Sequence, residues 1–362
     1  MASDLRVVTT TDGAVLSPLL SGTVLSPSQM ERYRDARGPL ISKGVYHLHT
    51  HGWMMLQVTF LGTAGAIPTT ERNPSAIAVN REGDQLLFDV GEGTQRQMMR
   101  FGTGFAVSDV FVTHVHGDHV LGLPGLLQTM DFNDREAPLT IHVPQGTRGT
   151  IRALTSVADT RPSFPVHIEE VSPGDVAKDA DEYEVRAFDV DHDAAAVGYA
   201  IVEDDRKGVF DREHAEELGI PVGPMFSRLH EGKPVELDDG TVVQPEQVVG
   251  QPRPGRRVVY TGDTRPTEST VEVARDADLL IHDATFADDS VERAAKTAHS
   301  TASQAAALAQ QAGVKRLALT HVSSRYAGNA VLLHEEADAV FDGDLWLAHD
   351  GLDLEIPYPD SA

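Results

Sequence analysis

From Met55 onward, short apolar runs break off one after another at polar turns that carry His or Asp. Val110–Thr113 runs into His114-Val115-His116-Gly117-Asp118-His119, Tyr183–Val190 into Asp191-His192-Asp193, and Arg257–Thr261 into Gly262-Asp263. Asp278–Ile281 ends at His282-Asp283, and Leu317–Thr320 delivers His321. Helical stretches alternate with these runs. One is Thr94 to Phe101; another is Ala302–Ala312, which Thr301 and Gln304 open with a capping-box signature and Gly313 closes. Ala196–Val202 can return as the hairpin partner of Tyr183–Val190. Strands alternating with helices predict a layered α/β architecture with ligands on the strand-end loops.

The cluster His114-x-His116-x-Asp118-His119 points to metal chemistry. Imidazole and carboxylate are the donors that suit zinc when no thiolate is present, and this chain has no cysteine. The i, i+2 spacing at a strand end lets His114 and His116 point to one side. The turn at Gly117 then swings Asp118 and His119 toward a second position, about 3.5–4 Å from the first metal. The alternative is a polar surface loop with no ligand role. His192, Asp263 and His321, each at another strand end, argue against it by completing a set of N and O donors large enough for two metals. By contrast His47, His49 and His51, alternating in a stretch of turn-forming composition, are assigned no ligand role.

Composition narrows the field further. Zero Cys excludes disulfides, iron–sulfur clusters and a cysteine nucleophile. No apolar run approaches the roughly 18 residues of a membrane span, and no basic stretch followed by an apolar core opens the chain. A cytoplasmic protein is expected. The formal charge is −25, from 30 Lys+Arg against 55 Asp+Glu, and only six of the basic residues are Lys. Such a surface resembles those of proteins in a salt-loaded cytoplasm, where the Debye length falls to about 3 Å and an anionic partner is not excluded.

The chain from Met55 onward resembles the metallo-β-lactamase superfamily and, within it, the tRNA 3′-processing endonucleases of the RNase Z family. Six stretches carry the resemblance: Phe60–Pro68 (FLGTAGAIP), Phe88–Gln95 (FDVGEGTQ), Thr113–His119 (THVHGDH), Tyr260–Thr264 (YTGDT), His299-Ser300-Thr301 and Leu319–Tyr326 (LTHVSSRY). The resemblance implies a four-layer αβ/βα sandwich with a protruding arm. It implies two Zn(2+) per subunit, one held by His114, His116 and His192, the other by Asp118, His119 and His321, with Asp263 bridging. Asp118 would be the proton acceptor, His299 the proton donor to the departing 3′ oxygen, and precursor tRNA the substrate, handled by a homodimer.

His282-Asp283-Ala284-Thr285 departs from the family's His-Glu-Ala-Thr. Aspartate is one methylene shorter, which puts its reach toward His299 in question and leaves a merely solvated Asp283 as the alternative. Residues 1–53 read as an N-terminal extension ahead of a start at Met54 or Met55, and 55–362 as the metallo-β-lactamase domain. Within it, about 203–255 is an insertion with six prolines and little apolar periodicity. Gly223, Pro224, Arg228 and Lys233 in this insertion resemble the family's tRNA-gripping arm. Arg72 and Asn73 match part of a family loop near the cleavage site that normally also carries Lys. Two other readings remain: hydrolysis of another ester (a thioester or small phosphodiester), or a non-catalytic RNA-binding relative, which should have lost ligands.

Overall fold

The computed structural model of the protein describes residues 56–157 and 161–359; the expected extension, its start sites and His47, His49 and His51 lie outside the described residues. Two seven-stranded sheets dominate. The first runs, edge to edge, through Asp353–Glu355, Leu56–Gly62, Ala76–Arg81, Asp84–Phe88, Val107–Phe111, Leu139–Pro144 and Val166–Val171. The second runs through Asp344–Leu347, Arg316–Thr320, Leu279–Asp283, Arg257–Tyr260, Gly198–Glu203, Tyr183–Phe188 and Val176–Ala180.

Strand Leu279–Asp283 shows why these segments become strands. Every residue is buried, because parallel neighbours flank it on both sides and both faces are covered. Leu279 and Ile281 face the core between the sheets, where they join Phe60, Phe88, Phe111, Tyr199 and Tyr260. Leu280 belongs to the opposite core with Ala302, Ala305, Ala306 and Ala309 of helix Ala302–Ala312. The first sheet is covered in the same way by Met98 of helix Thr94–Phe101 and by Leu123, Leu126, Leu127 and Met130 of helix Leu123–Phe132. The result is helix, sheet, sheet, helix, as expected. The capping box at Thr301 and Gln304 forms, and Gly313 ends the helix at φ 68°. The expected hairpin forms between Tyr183–Phe188 and Gly198–Glu203.

Four strands of each sheet run parallel: Asp84–Phe88 to Val166–Val171 in the first, and Arg257–Tyr260 to Asp344–Leu347 in the second. Parallel strands deliver their carboxyl ends to one edge of a sheet, which is where open α/β sheets place their ligands.

The insertion is more than a loop. Ala215, Ile220, Leu229, Val235, Val243 and Val248 form a small core of their own. Each comes from a different short element or turn, so no period shows in the sequence. Its two ends are joined where Arg206 N donates to Arg253 O (2.7 Å) and Arg253 N to Arg206 O (2.9 Å). Among the described residues no helix is long and apolar enough to cross a membrane.

Between the sheets, Asp109 is 7% exposed. Its carboxylate accepts from His142 Nε2 (2.9 Å) and Lys178 Nζ (2.6 Å). Burial favours the neutral acid, but these bonds and the lysine charge outweigh it and bring the pKa down to about 2. A depressed carboxylate stabilises the fold above its unfolded pKa and loses that contribution as pH falls through the folded value. Asp109→Asn should therefore cost roughly 2 kcal/mol at pH 7 and flatten the stability curve between about pH 4 and 2. Denaturant titrations at fixed high salt across this window test it; an unaltered acid limb in the variant would assign that limb to other groups.

Candidate metal centre

His114 follows strand Val107–Phe111 and is fully buried, as are His119, Asp263 and His321, each 3% exposed or less. His116 is exposed, and Asp118 and His192 are intermediate. His114 Nε2 lies 3.0 Å from His116 Nδ1, which is 3.3 Å from His192 Nε2, and Asp263 Oδ2 is 3.5 Å from His114 Nε2. On the other side of Asp263, His119 Nε2 is 3.4 Å from its Oδ2 and 3.5 Å from Asp118 Oδ2. His321 Nε2 sits 3.2 Å from both Asp118 Oδ2 and Asp263 Oδ1. Two four-donor groups contain the expected ligands, His114, His116, His192 with Asp263 and Asp118, His119, His321 with Asp263, each with its donor atoms within 4.8 Å of one another; a third joins Asp263 and His321 to Asp283 and His299. The sequence-predicted ligands thus all come together, and Asp263 is common to both groups.

Hydrogen bonds behind the rings decide which nitrogen faces inward. His119 Nδ1 donates to Asp89 Oδ2 (2.8 Å). His192 Nδ1 donates to the Ala298 carbonyl (3.0 Å). His114 Nδ1 pairs with Thr113 Oγ1 (3.1 Å), whose hydroxyl donates to Asp89 (2.9 Å). His321 Nδ1 pairs with Thr285 Oγ1 (2.9 Å), whose hydroxyl donates to Asp283 Oδ1 (2.6 Å). Each bond holds a proton on Nδ1 and turns Nε2 inward, where a metal ion would find its lone pair. Burial would lower the His119 pKa, but Asp263 and Asp89 hold it well above the ordinary imidazole range, so the cluster draws in positive charge. Asp263 Oδ1 makes the same case, since it is buried without a hydrogen-bond donor. The residues present therefore fit a pair of metal ions.

The electrostatics agree. Burial would raise the pKa of Asp263, but His321, His119 and His114 hold it well below the usual carboxylate range. Asp118 is likewise depressed: hydrogen bonds with His119 and His321 overcome its desolvation. His114 is pushed well down, chiefly by burial and then by the His119 charge, so its imidazole is neutral and available as a ligand.

Backbone strain concentrates here. Seven non-glycine residues among those described have positive φ, and four of them touch the centre: Ala66 (59°), Asp89 (55°), Ala298 (57°) and His321 (61°). Ala66 turns its amide to Asp118 Oδ2 (2.8 Å). Next to it, a Cβ on Gly65 would lie 2.8 Å from His321 Nδ1, so only glycine lets that ring sit where it does.

Asp283 is fully buried, not solvated. Its Oδ2 accepts from His299 Nδ1 at 2.8 Å, so the shorter side chain does reach. The Thr264 and Ser300 amides, each at 3.3 Å, hold that same oxygen.

The expected substrate residues lie apart from the donor cluster. Arg72 donates through Nη1 to Thr63 Oγ1 (2.7 Å) and the Ala348 carbonyl (2.5 Å), so its guanidinium braces the loop from within. Asn73 donates its amide to Asp350 Oδ2 (2.7 Å) and its Nδ2 to the Glu92 carbonyl (2.5 Å). Gly223 and Pro224 begin helix Pro224–His230, which carries Arg228; Lys233 Nζ pairs with Glu231 (2.8 Å). No motif marks Asp350, which also accepts from Thr63 and Gln97 and ties the loop 63–73 to helix Thr94–Phe101. Thr285 has no local signal of its own beyond the His-Asp-Ala-Thr stretch, and its hydroxyl joins Asp283 to His321.

Comparison with known proteins agrees with this geometry. Residues 56–188 match the family model described as anti-Pycsar protein Apyc1, and residues 232–322 match the beta-lactamase superfamily domain. The chain is 65% identical over 307 residues to the ribonuclease Z of Natronomonas pharaonis, covering 85% of this chain and 100% of that protein. It is 66% identical over 308 residues to the ribonuclease Z of Halobacterium salinarum, with the same coverage. Among solved structures, the short form of human tRNase Z superposes with a TM-score of 0.61 at 28% identity, covering 83% of this chain and 99% of that one.

One titration tests the His299–Asp283 pair directly. Burial would lower the His299 pKa, but the Asp283 charge and hydrogen bond override it and raise the value to about 9. The imidazole is therefore protonated at neutral pH. In metal-stripped protein, Asp283→Asn should lower the His299 midpoint well below about 9, because burial is then opposed chiefly by the Asp263 charge alone. Imidazole NMR titration reads this; a midpoint still near 9 would show that Asp283 is not the cause.

Proposed function

The chain belongs to the ribonuclease Z family, on the metallo-β-lactamase fold, and from that premise we propose how its own residues remove the 3′ trailer from precursor tRNA. The assignment of roles is supported above all by one observation: donors from three separate loops meet around a shared, buried Asp263. His114, His116 and His192 would hold one zinc ion and Asp118, His119 and His321 the other, with Asp263 on both. Bound there, two such ions supply Lewis acidity that lowers the pKa of a water and offsets charge on the phosphate.

The protein groups do the rest. Asp118, ionised and aimed by the Ala66 amide, takes the proton of the attacking water. The water oxygen bonds to phosphorus as the bond to the 3′ oxygen breaks. His299, kept protonated by Asp283, gives its proton to that departing oxygen. The products are a tRNA with a 3′-hydroxyl and a trailer with a 5′-phosphate.

The insertion is the substrate grip, and it carries Gly223, Pro224, Arg228 and Lys233. Its charge is not simply basic: residues 206–253 hold six Arg and Lys against nine Asp and Glu. Backbone and hydrogen-bond contacts must therefore share the work with phosphate contacts. Family likeness further supports a cytoplasmic homodimer in which the arm of one subunit serves the other.

Four outcomes are expected. With added metal at high salt, the native protein should cut a 3′-extended tRNA at a single site and carry two zinc ions per chain by elemental analysis. Asp118→Ala should cut at least about a hundredfold more slowly. Equal cleavage by both proteins would remove Asp118 from the mechanism, and turnover of a thioester instead of the tRNA would favour the other-ester reading. Replacing residues 207–252 with a tight turn should impair tRNA cleavage while sparing a small phosphodiester; equal loss on both would refute the grip. Mixing that armless chain with Asp118→Ala subunits should restore cleavage if the arm works across a dimer, and should restore none if it does not.

A further inference from the structure

Where the arm leaves the body, charged groups that the cleavage does not use gather around one aromatic ring. We propose that Tyr358, in the C-terminal tail, is a positioning residue that clasps the root of the arm and fixes it against the body for substrate. The proposal rests on the reading of the insertion as the tRNA grip.

Two guanidiniums lie over the Tyr358 ring, with Arg206 Cζ at 3.6 Å and Arg256 Cζ at 3.9 Å from its centroid. Both are well inside the roughly 6 Å reach of a cation–π contact. Arg206 is the first residue of the arm's stem, and Arg256 lies just past its end. Arg256 is 1% exposed and binds Glu203 in a fork, Nε to Oε2 and Nη2 to Oε1, both at 2.8 Å. Its Nη1 donates to the Ile356 carbonyl (3.1 Å), so the arginine that closes the arm also holds the tail's main chain. Glu203 Oε1 accepts in addition from Arg81 Nε (2.9 Å), a residue of the first sheet. Both sheets, the arm and the tail thus meet at one buried cluster.

The arm needs such a clasp because its core, Ala215 to Val248, shares no residue with the cores of the two sheets. Its orientation is left to the stem. Arg206 and Arg256 carry like charge, and the face of one aromatic ring accommodates both cations at once. Arg256 and Tyr358 are buried and Arg206 partly so, and a stack of this kind is screened less by salt than an exposed ion pair at the same hinge would be.

The test compares Tyr358→Leu, which keeps apolar bulk without the ring, with Tyr358→Phe, which keeps the ring. In the Leu variant, hydrogen exchange of stem peptides 206–210 and 249–253 should accelerate about tenfold, and KM for 3′-extended tRNA should rise by a similar factor. Its kcat and its hydrolysis of bis(p-nitrophenyl) phosphate should stay at the native level. The Phe variant should match the native protein in every measurement. Native exchange in the Leu variant, or failure of Phe to rescue, overturns the clasp. A loosened stem with native KM also overturns it if the armless chain has a raised KM. If the armless chain too has the native KM, the grip reading has failed instead, and exchange alone decides the clasp.

Discussion

Asp263 is a carboxylate shut away from water among imidazoles, and most of the structure serves to make that tolerable. Burying an anion is costly unless positive charge surrounds it. Here His114, His119 and His321 crowd it from three sides, and each is held by a hydrogen bond on its far nitrogen. Those bonds lead outward to Asp89, Thr113 and Thr285 and then into strand ends. Tyr260, at a strand end of the other sheet, donates to Asp89 as well (2.9 Å). The strand register and the four strained backbones near the centre are therefore parts of a single electrostatic arrangement.

Much of this was legible in the residues. The strand-end pattern placed His114, His192, Asp263 and His321 on turns, and the parallel order of the sheets then brings those turns together. The helix Ala302–Ala312 was readable from its caps, because Thr301, Gln304 and Gly313 are local signals with local geometry. Long-range effects were not readable. The reach of Asp283 depends on how closely the turn holding His299 approaches, and no sequence rule gives that spacing. Arg72 looked like a ligand for substrate because its motif said so, yet its partners Thr63 and Ala348 come from opposite ends of the chain. The core of the arm was invisible because its six apolar residues are scattered one by one over turns and short elements.

The arm and the metal centre are supported by different physics. Around Asp263 the arrangement is polar and strained, with every proton assigned by a neighbour. At the root of the arm a buried ion pair and a shared aromatic ring join pieces from both sheets and the tail. Each is suited to a concentrated ionic solvent, since neither relies on charge interactions across water.

The short parallel pairing of Ala64–Gly65 with Val322–Ser323 has a consequence for folding. It seats His321 beside Gly65 and so builds one centre from the first and last thirds of the polypeptide. The seven donors are spread from His114 to His321, so no short stretch of the chain holds the whole centre by itself. Folding must close that long loop before any of the donors has its full set of neighbours.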